Sequence, residues 1–134
     1  MERFSISIEK ELLKSFDQRM EKGGYSNRSE AIRDLIRKDL ISEEWRADED
    51  VVGVITLVYD HHTRQLQNKI TDIQHEYHHQ VISTNHVHLD HDNCLEVVIV
   101  KGRAGHIRAM AQKLIAIRGV KTGDLTASST GSRL

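Results

Sequence analysis

One cysteine in a chain of 134 residues cannot build an internal disulfide framework, so packing or oligomerisation must hold the fold together. A lone thiol that serves a metal fits a reducing compartment better than an oxidising one, and a cytoplasmic location is expected. No apolar run approaches the roughly 18 residues that a membrane span needs. Arg3, Glu9, Lys10 and Glu11 interrupt any apolar leader segment, so no signal peptide is expected. Excess positive charge is missing too. Nineteen Lys and Arg against 20 Asp and Glu leave a net charge of −1. Nucleic-acid binding by such a chain must come from local placement of its cations. Internal repeats and low-complexity tracts are absent.

What is present is globular in kind, with 38% hydrophobic and 29% charged residues, enough for one ordinary domain or two small ones. The nine histidines are many for this length. Most lie between residues 61 and 91, a hint of metal chemistry.

Residues 2–8 alternate, with Phe4, Ile6 and Ile8 on one face and Arg3, Ser5 and Ser7 on the other, which predicts a short half-buried strand. Leu12, Leu13, Phe16 and Met20 then predict a helix from Glu9 to Gly23, closed by Gly23-Gly24. Asn27 is a good N-cap for a second helix reaching about Glu44, with Glu30 placed to return a hydrogen bond. Polar, acidic Ser42–Asp50 reads as a linker. Beyond it the pattern predicts a strand at Val51–Tyr59, a helix from His61 to His75, a hairpin from Gln80 to Lys101, a helix from Gly105 to Ile117, a strand from Gly119 to Thr126 and a frayed tail from Ser128. The fold class is α+β: a β-α-α segment over 1–45, then a βαββαβ domain of ferredoxin-like type over 51–134.

A β-α-α unit of this size is too small to bury a core alone, and dimerisation is the natural solution. Two copies of strand 2–8 paired antiparallel would turn Phe4, Ile6 and Ile8 onto the helices. Arg3, Ser5 and Ser7 would then form a two-stranded ribbon suited to the DNA major groove. Asn27, Arg28 and Ser29, at the start of the second helix, offer free N–H groups and positive charge to a phosphate.

His86-Val87-His88 followed by Cys94 carries the other chemistry. Strand parity puts both imidazoles on one face. Asp90-His91-Asp92-Asn93 reads as a tight turn, after which Cys94 opens a returning strand that brings its sulfur beside them. Two imidazoles and a thiolate suit a late first-row metal. By itself the pair of histidines is weak evidence, and a lone cysteine is usually an inert buried thiol.

The string Gly24-Tyr25-Ser26-Asn27-Arg28-Ser29-Glu30-Ala31-Ile32-Arg33-Asp34 makes residues 1–45 resemble a ribbon-helix-helix repressor domain. With Gln74-His75, His86-Val87-His88, Asp92-Asn93-Cys94-Leu95-Glu96, Lys101-Gly102 and Arg118-Gly119-Val120, nearly the whole chain resembles the nickel-responsive repressors of the NikR family. The resemblance implies an ACT-like C-terminal domain and a homotetramer, a dimer of dimers, in which ribbon-helix-helix pairs flank a core of four regulatory domains. It implies one Ni(II) per subunit, bound by His86, His88 and Cys94 with His75 of a neighbouring subunit. Three imidazoles and a thiolate can make the near-planar site that low-spin Ni(II) favours, and zinc prefers a tetrahedron. Cu(II), at the top of the affinity order, is expected to bind too, and acid is expected to weaken every metal. Glu96 and Tyr59 are expected to support the ligands.

The family also places a monovalent cation, typically K⁺, between its domains, and Glu30 and Asp34 match the two carboxylates that hold it. On their own these residues read as a helix cap and a solvated acid. Arg64 is expected at a phosphate, although the family's basic pair is here Thr63-Arg64. His61, His62, His78, His79, His91 and His106 read as solvated surface residues or weaker metal ligands. The whole implies a Ni(II)-responsive repressor of nickel uptake genes that reads a palindromic operator, touches no membrane, takes no small-molecule substrate and performs no catalysis. Two rival readings are a zinc hydrolase built on His86, His88, Cys94 and Glu96, and a ribbon-helix-helix repressor answering to an amino acid.

Overall fold

Val51, Gly53, Ile55, Leu57 and Tyr59 are buried while the residues between them are half-buried, so one strand shows two faces to two environments. This is β1, Asp50–Asp60, and it is central in a four-stranded sheet. The computed structural model describes residues 1–134 and falls into two units, Met1–Asp39 and Leu40–Leu134.

In the second unit, β1 is followed by α3 (Leu66–Glu76), β2 (Val81–His88), β3 (Asn93–Arg103), α4 (Ala104–Ile115) and β4 (Val120–Ala127). The sheet order is β2-β3-β1-β4 and every neighbouring pair is antiparallel, the arrangement of a ferredoxin-like βαββαβ fold. The core joins the buried face of β1 to Val98 and Val100 of β3, Leu66 and Ile70 of α3, and Ile107, Met110 and Leu114 of α4. A Cβ added to Gly123 of β4 would meet Ile115 Cγ1 at 2.7 Å and Leu57 Cδ2 at 2.9 Å, so the helix-to-sheet approach there requires glycine.

The first unit holds α1 (Lys10–Lys22) and the first turns of α2 (Arg28–Arg46). Gly23 caps α1 by donating to the Arg19 carbonyl, and Gly24 takes the left-handed conformation at φ +77°. Asn27 Oδ1 accepts the Glu30 amide at 2.9 Å, the expected N-cap. The reciprocal half of the capping box does not form, because the Glu30 carboxylate accepts the Ser26 hydroxyl at 3.0 Å instead.

Four expectations need correction. Residues 1–9 are not a strand within one chain: a strand requires a paired backbone, and no other segment of this chain supplies one. The linker does not begin at Ser42, since α2 runs on to Arg46 with Glu44 and Trp45 buried, and the connection shrinks to residues 47–49. The third helix starts at Leu66; residues 61–65 form turns, ending at Gln65 in the left-handed region. The tail from Ser128 is docked, not frayed. Ser128 donates its amide to Val52 and accepts the Trp45 indole N–H, both at 2.8 Å, while Arg133 forks onto the Glu49 carboxylate.

Candidate metal centre and nucleic-acid interface

Register builds the metal candidate. Tyr59 of β1 lies opposite Cys94 of β3, which lies opposite His88 of β2. One step along, Leu57, Glu96 and His86 form the next row. With a period of two, all six point to the helix side of the sheet, where Tyr59, Leu57, Cys94 and Glu96 are buried while His86 and His88, on the edge strand, stay exposed. Cys94 Sγ lies 3.4 Å from His88 Nδ1, and the His86 and His88 rings have centroids 5.2 Å apart. Cys94 is fully buried. Burial, reinforced by the charges of Glu96, Asp60 and Asp90, pushes its thiol pKa up. Ionising it therefore calls for a cation close by.

His86 is held from behind. Tyr59 donates its hydroxyl to Glu96 Oε2 at 2.8 Å, and its oxygen lies 3.3 Å from His86 Nδ1. With the phenolic proton committed to Glu96, the oxygen accepts from a protonated Nδ1, and Nε2 keeps its lone pair for a metal. Burial first, then Glu96, raises the Tyr59 pKa, so the phenol stays a donor. Glu96 is itself buried, and its other oxygen accepts Gln74 Nε2 at 3.2 Å. Gln74 Oε1 in turn accepts the Thr84 hydroxyl at 2.7 Å. One carboxylate thus ties the end of α3 to β1 and, through the phenol, to His86.

His75, beside Gln74 in the last turn of α3, stands outside this cluster. Its carbonyl accepts His78 Nδ1 at 2.9 Å. The structure instead adds His61, whose ring joins His88 and Cys94 with ligand atoms within 4.8 Å of one another. His61 follows the end of β1, so only the β1–β3 register reveals its proximity to Cys94. Spacing along the chain carries no sign of it.

In the first unit, Arg3, Ser5 and Ser7 are exposed, as are Phe4 and Ile6. Asn27 spends its side-chain oxygen on the cap. Arg28 forks onto Asp17 at 2.9 and 2.8 Å, an ion pair that lowers the Asp17 pKa. Ser29 is exposed, and so is Arg64 in the other unit. Asp34 accepts the Tyr25 hydroxyl and pairs with Lys38 at 3.0 Å, so both carboxylates singled out for a cation have protein partners. Leu12, Phe16, Met20, Tyr25, Ala31 and Leu35 line an open, largely apolar groove of about 610 Å³.

No helix is long and apolar enough to cross a membrane. The family described as NikR C terminal nickel binding domain matches residues 52–128, and that of ribbon-helix-helix proteins of the copG type matches residues 2–43. A protein of Desulfotalea psychrophila named as a nickel-responsive regulator is 57% identical over all of this chain and 98% of its own length. Another so named, from Pelobacter propionicus, is 54% identical over 98% of this chain and 96% of its own. Among solved structures, an uncharacterized protein of Thermotoga maritima matches 59% of this chain and 98% of its own, with a TM-score of 0.54 at 15% identity, a likeness of fold alone.

Proposed function

This chain belongs to the nickel-responsive regulator family, and on that premise we propose that it is a cytoplasmic, Ni(II)-dependent repressor of nickel uptake genes that performs no catalysis. The observation that carries the metal half is the buried Cys94 thiol 3.4 Å from His88, at the end of a sheet whose next row orients His86. The donor set fits the ion, since imidazole and thiolate select late first-row metals over magnesium and calcium. His86, His88 and Cys94 hold it with His75 of a neighbouring subunit. When bound, nickel supplies the positive charge that keeps the thiol ionised and links two chains. Glu96 positions His86 through Tyr59 and the end of α3 through Gln74, so the ligands are held before metal arrives.

Exposed apolar surface supports assembly into a homotetramer. Phe4 and Ile6 are 71% and 61% exposed, and Ile82, Val87 and Leu89 stand out on or just beyond the edge strand β2. Pairing the 2–8 segments of two chains turns Phe4 and Ile6 inward and leaves Arg3, Ser5 and Ser7 facing a palindromic operator. Ser29 and Arg64 reach phosphates, and Arg28 does so on leaving Asp17. A K⁺ between the domains would draw Glu30 and Asp34 from their present partners. Nickel favours the DNA-competent placement of the ribbons, and by reciprocity DNA tightens nickel by the same factor.

Retardation of DNA from upstream of the nickel uptake genes tests this reading, with apo protein, Ni(II), Zn(II) or free amino acids. Tight binding with Ni(II) alone is expected, and equal binding by apo and nickel forms overturns it. Cys94→Ala should abolish the thiolate-to-nickel absorption band. Survival of that band would refute the ligand assignment.

A further inference from the structure

Beside the donors around Cys94, but sharing none of them, stands a second set. His62 follows the end of β1, and His91 and Asp92 belong to the turn between β2 and β3. Their ligand atoms all lie within 4.8 Å of one another. Asp92 Oδ1 is 3.1 Å from His91 Nδ1 and 3.6 Å from His62 Nε2. All three side chains face solvent, with 53%, 90% and 60% of their surface exposed for His62, His91 and Asp92.

The backbone beneath them is fixed from both sides. His61 donates its amide to the Asp92 carbonyl at 3.0 Å, and a ring nitrogen of His61 lies 2.7 Å from the His91 carbonyl. His62 donates its amide to Asp60 Oδ1 at 2.8 Å. Asp90 Oδ1 gathers the amides of Asp92 and Asn93 at 2.9 and 2.8 Å. Two loops from different parts of the chain are thus latched together where their side chains converge.

We propose that His62, His91 and Asp92 form an auxiliary, solvent-facing site for a hydrated late first-row divalent cation such as Ni(II), Cu(II) or Zn(II). Two imidazoles and one carboxylate favour these ions over magnesium and calcium, which prefer all-oxygen shells. The exposure of the three side chains leaves the remaining positions to water, and without a thiolate the site binds more weakly than the one at Cys94. It stands apart from the regulator reading, because it uses none of His75, His86, His88 or Cys94.

Equilibrium dialysis of the full-length protein against Ni(II), and separately Zn(II), distinguishes the two. Two classes of metal are expected, with a thiolate absorption band tracking only the tighter one. His62→Ala and His91→Ala should each weaken the second class by about tenfold or more, since even outer partners of a metal ligand cost that much. The thiolate band should stay unchanged in both. Asp92→Asn should act in the same direction, while a His78→Ala/His79→Ala variant should leave both classes intact. A single class in the native protein, or a second class untouched by the His62/His91 double variant or lost in the His78/His79 variant, overturns the proposal. Loss of the thiolate band with the weak class intact would count against the Cys94 ligand set and leave this site standing.

Discussion

Met1–Asp39 buries one hydrophobic side chain, Ala31, whereas Leu40–Leu134 contains the entire core cluster from Trp45 to Leu114. The sequence of the first unit is not poor in apolar residues. Phe4, Ile6, Leu12, Leu35 and Ile36 are simply left on its surface, between 49% and 71% exposed. The second unit closes its sheet face with two helices and leaves no buried side-chain nitrogen or oxygen without a partner. One half closes a core by its own burial, and the other leaves most of its apolar side chains uncovered in a single chain. The proposed sensor would suit that division, with a self-contained half to hold donors and a second half open to association.

The largest expected effect tests the self-sufficient half. Leu57→Ala, at a position with no exposure, should cost about 2–5 kcal/mol through lost burial and a residual cavity. Urea unfolding followed by the sheet's circular dichroism would register it. A loss below 1 kcal/mol would mean that the core relaxes freely and that the contrast between halves is overstated. Next comes Leu35→Asp, on the wall of the apolar groove. At a site 55% exposed in a lone chain, a substitution would do little to stability. In a dimer it places a charge in a buried face, so sedimentation should show dissociation and operator binding should vanish. An unchanged oligomer would show that this face covers nothing.

Arg3→Ala should have a smaller and more selective effect. It removes a base contact worth about 1–3 kcal/mol of operator affinity and leaves nickel stoichiometry and the thiolate band intact. Loss of metal binding in this variant would mean that the ribbon shapes the regulatory half directly.

The same contrast explains what could be read from sequence. The His86, His88 and Cys94 hairpin is legible because strand parity and a tight turn are local rules, and β2, β3 and their register obey them. His61 is hidden because it needs the pairing of β1 with β3, a relation between distant segments. The length of α2 escapes local reading for a similar reason. Trp45 stays helical and buried because its indole donates to the Ser128 carbonyl and Arg108 donates to its own carbonyl, contacts that also dock the expected frayed tail. The alternation at 2–8 is legible in the sequence, yet no strand forms in one chain, since no other segment of this chain pairs with it. His75 is proposed as a ligand through the resemblance alone, and the geometry of one chain leaves it outside the cluster.

The smallest expected effect concerns Arg28, predicted at a phosphate and found on Asp17. The hydrogen bond from the guanidinium, more than its charge, holds the Asp17 carboxyl below its ordinary 3.8. A carboxyl depressed in the folded state adds stability above its unfolded value and loses it as the pH falls through the folded one. The pair should therefore loosen only in acid below the ordinary carboxylate range. Lying at the surface with both side chains open to solvent, it should shift the melting temperature only slightly. Its larger consequence is competition, because the carboxylate and a DNA phosphate ask for the same fork of donors. Asp17→Asn should free Arg28, raise operator affinity a few-fold and steepen the salt dependence by about one phosphate contact. Arg28→Gln should do the opposite and return the Asp17 carboxyl titration, followed by NMR, toward its ordinary value. If Asp17→Asn leaves both affinity and salt slope unchanged, Arg28 serves to pin α2 to α1 and takes no part in reading DNA.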